Sequence, residues 1–247
     1  MKKIIKRILL TIGILIILLL IAGIGFYFKM NSIVKDMSPV KTGMVVDGIY
    51  AIKDSYVNMF LVKDSNHYIA IDAGNDVKTI SDGLKELNID PESVTTVLLT
   101  HTDRDHVGAL ELFKNAKIYI SKPESQMLNG QKHKFLFFNN SLGGRPHTLL
   151  DDQQVLTFTK RSVKGILTEG HTSGSMCYLV DDKYLFTGDI ITMKSGKIDP
   201  SIEFFDMDHP LAVKSVSIIT KLPDVQYIFT AHCGYSDNYQ KAVEGWK

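Results

Sequence analysis

A chain of 247 residues is long enough for one sizeable domain with a full core. Its formal net charge is +1, of which Lys2, Lys3, Lys6 and Arg7 supply +4, so residues 8–247 sum to −3. That balance argues against nucleic acid as a partner, and two cysteines, Cys177 and Cys233, are too few for a disulfide framework, leaving one bridge or two thiols open.

The amino end is different in kind. Residues 1–7 are basic, and residues 8–28 form an apolar run broken only by Thr11 and glycines. At ~1.5 Å per residue such a run matches a bilayer core of ~30 Å, and a buried core helix rarely lacks any polar face. Only Lys29 stands just after the run, so the basic bias places the amino terminus in the cytoplasm and the remainder outside. The run exceeds the ~7–15 residues of a signal-peptide core and no Ala-x-Ala site follows. An uncleaved anchor is therefore expected, although Gly23 and Gly25 weakly mimic a cleavage site. Residues 29–46 read as a linker, polar with one proline around 31–41, and residues 47–247 as the folded domain.

Within that domain a β-meander is expected over 48–52, 58–62 and 67–72, ending in Asp72-Ala73-Gly74. Apolar residues at Val77, Ile80, Leu84 and Leu87 predict a helix over 76–87. A buried strand at 95–99 then stops in an acidic loop, His101-Thr102-Asp103-Arg104-Asp105-His106, before a helix carrying Val107, Leu110, Leu112 and Phe113. A short strand at 116–120 precedes an irregular stretch, 125–152, with Phe135, Phe137, Phe138 and a Gly143-Gly144 turn, as expected of a functional loop or lid. The second half repeats the plan: a strand at 163–167, a hairpin turning on Asp181-Asp182-Lys183, a helix at 209–222, a strand at 225–229 and a terminal helix at 237–246. Strands alternating with helices and hairpins predict two sheets packed between outer helices.

Two histidines bracketing two aspartates at a strand's carboxyl end suit a metal site better than a solvated turn. His171 after Glu169-Gly170, Asp189 after Thr187-Gly188 and His232 before Cys233-Gly234 each close a further strand. Singly, each has a plain explanation as a loop, turn or cap residue. Together, all at strand ends, they point to one shared site. His133, Arg145 and His147 are expected at the surface first and facing substrate second. Arg104 is expected to pair with a nearby carboxylate, His209 to sit in a helix cap region, and His67 to be structural.

The series His101-x-Asp103-x-Asp105-His106, His171, Asp189 and His232 resembles the metallo-β-lactamase superfamily, as do Ile71-Asp72-Ala73-Gly74, Gly170-His171-Thr172-x-Gly174 and Phe186-Thr187-Gly188-Asp189. The resemblance runs from about Gly48 to the carboxyl terminus. It implies an α+β four-layer αββα sandwich, here preceded by an N-terminal transmembrane helix. It also implies two divalent metal ions, zinc first, with iron or manganese as alternatives. One would be held by His101, Asp103 and His171, the other by Asp105, His106 and His232, with Asp189 bridging. Such a pair turns a shared water into a hydroxide nucleophile and polarises the substrate oxygen. Asp105 is placed as catalytic, and Asp72 as the carboxylate that positions the ligand loop.

One position departs from the family's pattern, which has histidine where Asp103 stands. A third carboxylate among the ligands shifts preference from zinc toward iron or manganese, and an aspartate too short to reach would leave a single-metal site. A true β-lactamase is disfavoured, because the family's zinc lactamases lack the bridging aspartate that Asp189 supplies. The resulting expectation is a membrane-anchored, exported metal-dependent hydrolase acting on an ester, thioester, amide or phosphodiester bond of a small-molecule substrate. A nuclease or phosphodiesterase, a di-iron oxidoreductase needing an external electron donor, and a non-catalytic metal-stabilised scaffold are the alternatives.

Overall fold

The computed structural model describes residues 2–134 and 137–246, so Phe135 lies outside the described residues. The chain divides into two compact units between Ser38 and Pro39. The first is a single helix, α1 (Lys2–Asp36), long and apolar enough to cross a membrane. It overruns the expected linker. No proline or glycine stands between Lys29 and Pro39, so nothing stops the helix before Asp36, and β1 already begins at Gly43.

The second unit opens with β1 (Gly43–Val46), β2 (Ile49–Asp54), β3 (Val57–Asp64) and β4 (His67–Ile71), the expected meander. Helix α2 (Val77–Glu86) follows, capped by the Asp76 carboxylate, which accepts from the Thr79 N–H. Then come β5 (Val94–Leu98), α3 (Arg104–Val107), β6 (Lys117–Ser121), α4 (Ser125–Leu128) and β7 (His147–Leu150). Strands β1 to β7 form one sheet in sequential order, antiparallel as far as β4 and parallel from β4 to β7.

The next strands are β8 (Val155–Thr157), β9 (Ser162–Leu167), β10 (Met176–Val180) and β11 (Tyr184–Phe186), followed by the hairpin β12 (Ile191–Lys194) and β13 (Lys197–Pro200). Helix α5 (His209–Ile219), β14 (Tyr227–Phe229), β15 (Tyr235–Ser236) and α6 (Tyr239–Ala242) complete the chain. The second sheet runs β15-β14-β11-β10-β9-β8, with β11 and β14 parallel.

Three apolar clusters define four layers. Ile80, Leu84 and Phe113 pack on one face of the first sheet. Phe60, Ile69, Ile71 and Leu98 meet Met176, Tyr178, Phe186 and Phe229 between the sheets. Ala212, Val216 and Ile219 of α5, with Tyr239 of α6, cover the outer face of the second sheet. This is the αββα sandwich that the strand and helix alternation implies. Burial on both faces explains why β3 is buried at nearly every position rather than alternating. Tyr178 carries a hydroxyl into the middle layer, and that hydroxyl donates to the Leu99 carbonyl at 2.9 Å. With the Met176 N–H on the Thr100 carbonyl at 2.8 Å, it ties the two sheets together at one end.

Several expectations need correction. The helix after the acidic loop is only the four residues of α3, followed by a 3-10 turn at Leu110–Leu112. Gly108 lies so close to Asn75 that a Cβ there would sit 2.1 Å from the Asn75 carbonyl oxygen. The Gly108 and Ala109 N–H groups donate to Gly74 and Ala73 at 2.7 and 3.2 Å instead of continuing the helix. The irregular stretch contains a strand, β7, and the β12–β13 hairpin carries no expected counterpart. The terminal helix shrinks to α6 plus a 3-10 turn at Glu244–Trp246. Of the two states left open for Cys177 and Cys233, the structure has the two thiols.

Candidate metal centre

Parallel strands deliver their carboxyl ends to one rim of the sandwich. There β4 ends in Asp72, β5 in Thr100 and His101, β11 in Thr187-Gly188-Asp189 and β14 in Ala231-His232, while β9 leads through Thr168-Glu169-Gly170 to His171. Gly188 adopts a left-handed φ of +54° and presses on Thr100, where a Cβ would lie 2.6 Å from the threonine hydroxyl. The seven expected ligand residues converge on this rim. Three sets of donor atoms each lie within 4.8 Å of one another: His101, Asp103 and His171; Asp105, His106 and His232; and His101, His106 and Asp189.

Asp189 sits between the other two sets. Its Oδ1 is 3.2 Å from His106 Nε2, and its Oδ2 is 3.1 Å from His232 Nε2 and 3.4 Å from His171 Nε2. Asp105 Oδ2 faces His232 Nε2 at 3.6 Å.

All four imidazoles are turned the same way, with Nδ1 bound to the protein behind it. His106 Nδ1 donates to Asp72 Oδ2 at 2.8 Å, His171 Nδ1 to Asp206 Oδ1 at 2.9 Å, and His232 Nδ1 to the Tyr56 carbonyl at 2.7 Å. His101 Nδ1 lies 3.0 Å from the Thr100 hydroxyl, which itself donates to Asp72. Each ring therefore carries a proton on Nδ1 and aims Nε2 at the shared space. His101 Nε2, His106 Nε2 and Asp189 Oδ1 are buried without a hydrogen-bond partner. Buried polar atoms left bare are costly, and three around one point, all Lewis bases, fit a divalent ion.

The electrostatics agree. Burial opposes charge on His106, yet Asp189, Asp72 and Asp105 outweigh it and raise the ring's pKa well above its ordinary value. Burial likewise opposes charge on Asp189, but His232 and His106 hold its carboxyl well below the usual range. The rim is thus a buried cage built to surround positive charge.

Asp72 has a left-handed φ of +60° and accepts from the Thr100 N–H at 2.7 Å as well as from His106, so it fixes the start of the ligand loop from behind. Glu124, fully buried, clamps that loop from the other side: it accepts from the Thr102 N–H at 2.8 Å and the Thr172 hydroxyl at 2.6 Å. Neither Glu124 nor Asp206 was legible in the sequence. Both lie beside no ligand motif and meet the site only through folding. Lys134 and Asn140, from the segment between α4 and β7, also reach in. Lys134 Nζ donates to Asp103 Oδ2 and to His171 Nε2, the latter at 2.9 Å, and Asn140 Nδ2 donates to Asp103 Oδ1 at 3.1 Å. Burial would raise the Asp103 pKa, but the Lys134 ammonium and His101 bring it well below the usual carboxylate range.

Other candidates stay outside. Arg145 clamps backbone, donating to the Leu110 and Phe113 carbonyls at 2.8 Å. His147 and His67 are exposed on strands. His133 Nδ1 lies 3.4 Å from the Phe138 carbonyl, and His209 starts α5, its Nδ1 on Asp206 Oδ2 at 2.6 Å. Arg104 is exposed and forms no ion pair among the described residues, contrary to expectation, because the loop turns its carboxylates inward and leaves Arg104 facing water.

A profile of the metallo-beta-lactamase superfamily matches residues 52–232. The chain is 30% identical over 140 residues to a probable polyketide biosynthesis zinc-dependent hydrolase of Bacillus velezensis, covering 56% of this chain and 55% of that one. It is 25% identical over 190 residues to a hydroxyacylglutathione hydrolase of a Shewanella species, covering 76% and 66%. The chain thus spans roughly half to two thirds of the length of these curated relatives. In three dimensions it is similar to a B3 metallo-beta-lactamase with an active-site glutamic acid, at a TM-score of 0.64 and 18% identity, with 85% and 87% of the two chains covered. A metallo-beta-lactamase family protein of Thermus thermophilus is similar at 0.61 and 16%, with 81% and 78% covered. A histidine and aspartate cage at the strand ends of an αββα sandwich, and a family profile that begins in β2 and ends on His232 itself, lead to one conclusion: this chain belongs to the metallo-beta-lactamase superfamily.

Proposed function

We propose that the chain is a membrane-anchored, exported metal-dependent hydrolase, cleaving an ester, thioester, amide or phosphodiester bond of a small-molecule substrate. The observation that carries this reading is the common orientation of the four imidazoles, each held by Nδ1 with its Nε2 aimed at Asp103, Asp105 and Asp189. Relatives named as zinc-dependent and acylglutathione hydrolases support zinc and carbonyl chemistry, while the third carboxylate at Asp103 keeps iron and manganese in play. A divalent ion held by these donors would supply an activated water and a Lewis-acid contact for the oxygen of the scissile group.

The chain's own residues do the rest. To Asp105, whose Oδ2 lies 3.6 Å from His232 Nε2, we assign the role of accepting the proton of the attacking water. Asp72, Asp206 and the Tyr56 carbonyl keep His106, His171 and His232 in the Nε2-presenting tautomer. Burial of His101 and His106 keeps bulk water from competing for their Nε2 atoms. Helix α1 would hold the enzyme at the membrane, with the basic first turn of the chain on the cytoplasmic side.

The test is a hydrolysis screen of the detergent-solubilised full chain, loaded in turn with zinc, iron and manganese, against aryl esters, lactones, acyl thioesters and bis-aryl phosphodiesters. Turnover on one class, reduced at least about a hundredfold by Asp105→Asn, is expected. Metal-loaded protein that turns over none of the four classes would overturn the reading.

A further inference from the structure

Lys134 is placed in the cage as a metal would be. Its ammonium donates to Asp103 Oδ2 and to His171 Nε2, two of the three donors of the first set, and its side chain is 6% exposed. A lysine tip so deeply buried needs paired charge, and here it has the carboxylate that replaces the family's histidine. Asn140 completes the arrangement by donating to the other oxygen of Asp103 at 3.1 Å. Both oxygens of Asp103 are thereby occupied by side chains of a single segment, between α4 and β7.

The second set is different: no lysine or arginine pairs with Asp105, His106, His232 or Asp189 among the described residues. We propose that Lys134 is the resident cation of the first subsite, so that the chain holds one metal ion, at Asp105, His106 and His232 with Asp189, and takes a second only when Lys134 is displaced.

Charge favours this division. Three carboxylates, Asp103, Asp105 and Asp189, face the cage, and one dication with one ammonium balances them. Adding a second dication while Lys134 stays in place would leave excess positive charge in a buried volume, where it is poorly screened. A histidine at position 103 would offer the ammonium no negative partner, so Asp103 and Lys134 make sense as a pair: the carboxylate lost to the first metal is the one that binds the lysine. The ammonium also uses the His171 Nε2 lone pair, which a metal would need. In the one-ion state the positive charge offered to a substrate oxygen in the first subsite comes from Lys134.

This rests on the reading of the rim as a metal centre, and the experiment separates the two. Apo full-length protein in detergent would be titrated with cobalt(II), followed by calorimetry and visible absorption, and zinc retained after desalting would be counted per chain. Wild type should take one equivalent tightly and keep one zinc. Lys134→Met and Lys134→Gln should bind a second equivalent about ten- to a hundredfold more tightly than wild type, an effect of the size that a group hydrogen-bonded to a metal ligand has on affinity, and keep two. Lys134→Arg, which retains the charge, should keep one.

Two zinc ions retained by wild type would overturn the proposal while leaving the metal centre intact, and this outcome does not depend on any variant folding. So would a second-site affinity unchanged in both neutral variants, with their melting curves showing a folded protein. No cobalt bound by wild type, or binding unaffected by His232→Ala, would instead bring down the metal centre itself, and the proposal with it.

Discussion

Asp206 shows how much a single residue outside the cage controls. Its Oδ1 takes the His171 Nδ1 proton at 2.9 Å, and its Oδ2 accepts from the Ser201 hydroxyl at 2.7 Å and from His209 at 2.6 Å. Burial would raise its pKa, but these hydrogen bonds, with His171 first, hold the carboxyl below the usual range, so it stays an acceptor. With three acceptor contacts fixed, the His171 ring has one orientation and one tautomer. Asp206→Ala should therefore weaken the binding of a second metal ion, in the subsite of His101, Asp103 and His171, about ten- to a hundredfold without touching a ligand. Asp206→Asn, which keeps one acceptor oxygen, should lose less. Competition with a chromophoric chelator, run on Lys134→Met protein so that this subsite is open, measures both, and a second-site affinity unchanged by Asp206→Ala would show that His171 is oriented by something else.

Among the elements, β10 carries its sheet's clearest pH signature. Cys177 is the second residue of β10, fully buried, with its Sγ 3.4 Å from the Thr168 hydroxyl and 3.7 Å from the Thr187 carbonyl, to which it donates. Burial raises its pKa from 9.0 to about 12, a rise the Thr168 contact only reduces. The folded protein thus holds this proton more tightly than the unfolded chain. The stability it contributes is complete below pH 9.0 and is lost as pH climbs toward about 12. The slope from one such group is about 1.4 kcal/mol per pH unit. Tyr239, raised by burial to about 12, acts in the same direction. Denaturation midpoints taken from neutral to strongly alkaline pH should fall steeply in wild type and less steeply in Cys177→Ala. Identical slopes would mean that the thiol ionises without cost in the fold.

The same scale explains what the sequence disclosed. His101, His171, Asp189 and His232 each lie within four residues of the end of an apolar strand, and Asp103, Asp105 and His106 continue the loop from β5, so the strands and the ligands are read together. Lys134, Asn140, Glu124 and Asp206 occupy segments with no periodicity of their own, and only tertiary contact gives them a role. The false helix after the ligand loop had the right apolar spacing. It was cut short by the close passage of Gly108 over Asn75, a contact between segments that no local window contains. The αββα layering was legible because each layer leaves a period: strands buried on both faces in the middle, and amphipathic helices such as α2 outside.

At the scale of the whole molecule, the chain joins a helix suited to lipid to a domain suited to water. In α1 the residues from Ile8 to Phe28 expose apolar side chains all round, which in water would leave a large unpaired hydrophobic surface. A bilayer removes that cost, and with ~30 Å of hydrocarbon to cross, the apolar run has the needed length. Lys3, Lys6 and Arg7 precede the run, whereas Lys29 and Lys35 follow it, the latter beside Asp36. From the direction of the bias we propose that the amino terminus lies inside and the domain outside. An alkaline phosphatase fused after Trp246 should accordingly be active in intact cells, and the chain should remain in the membrane after alkaline carbonate washing. The intact mass of the washed protein then separates anchor from signal peptide, since only an anchor retains residues 2–36. An inactive fusion would reverse the orientation and place the hydrolase, with its substrate, on the cytoplasmic face.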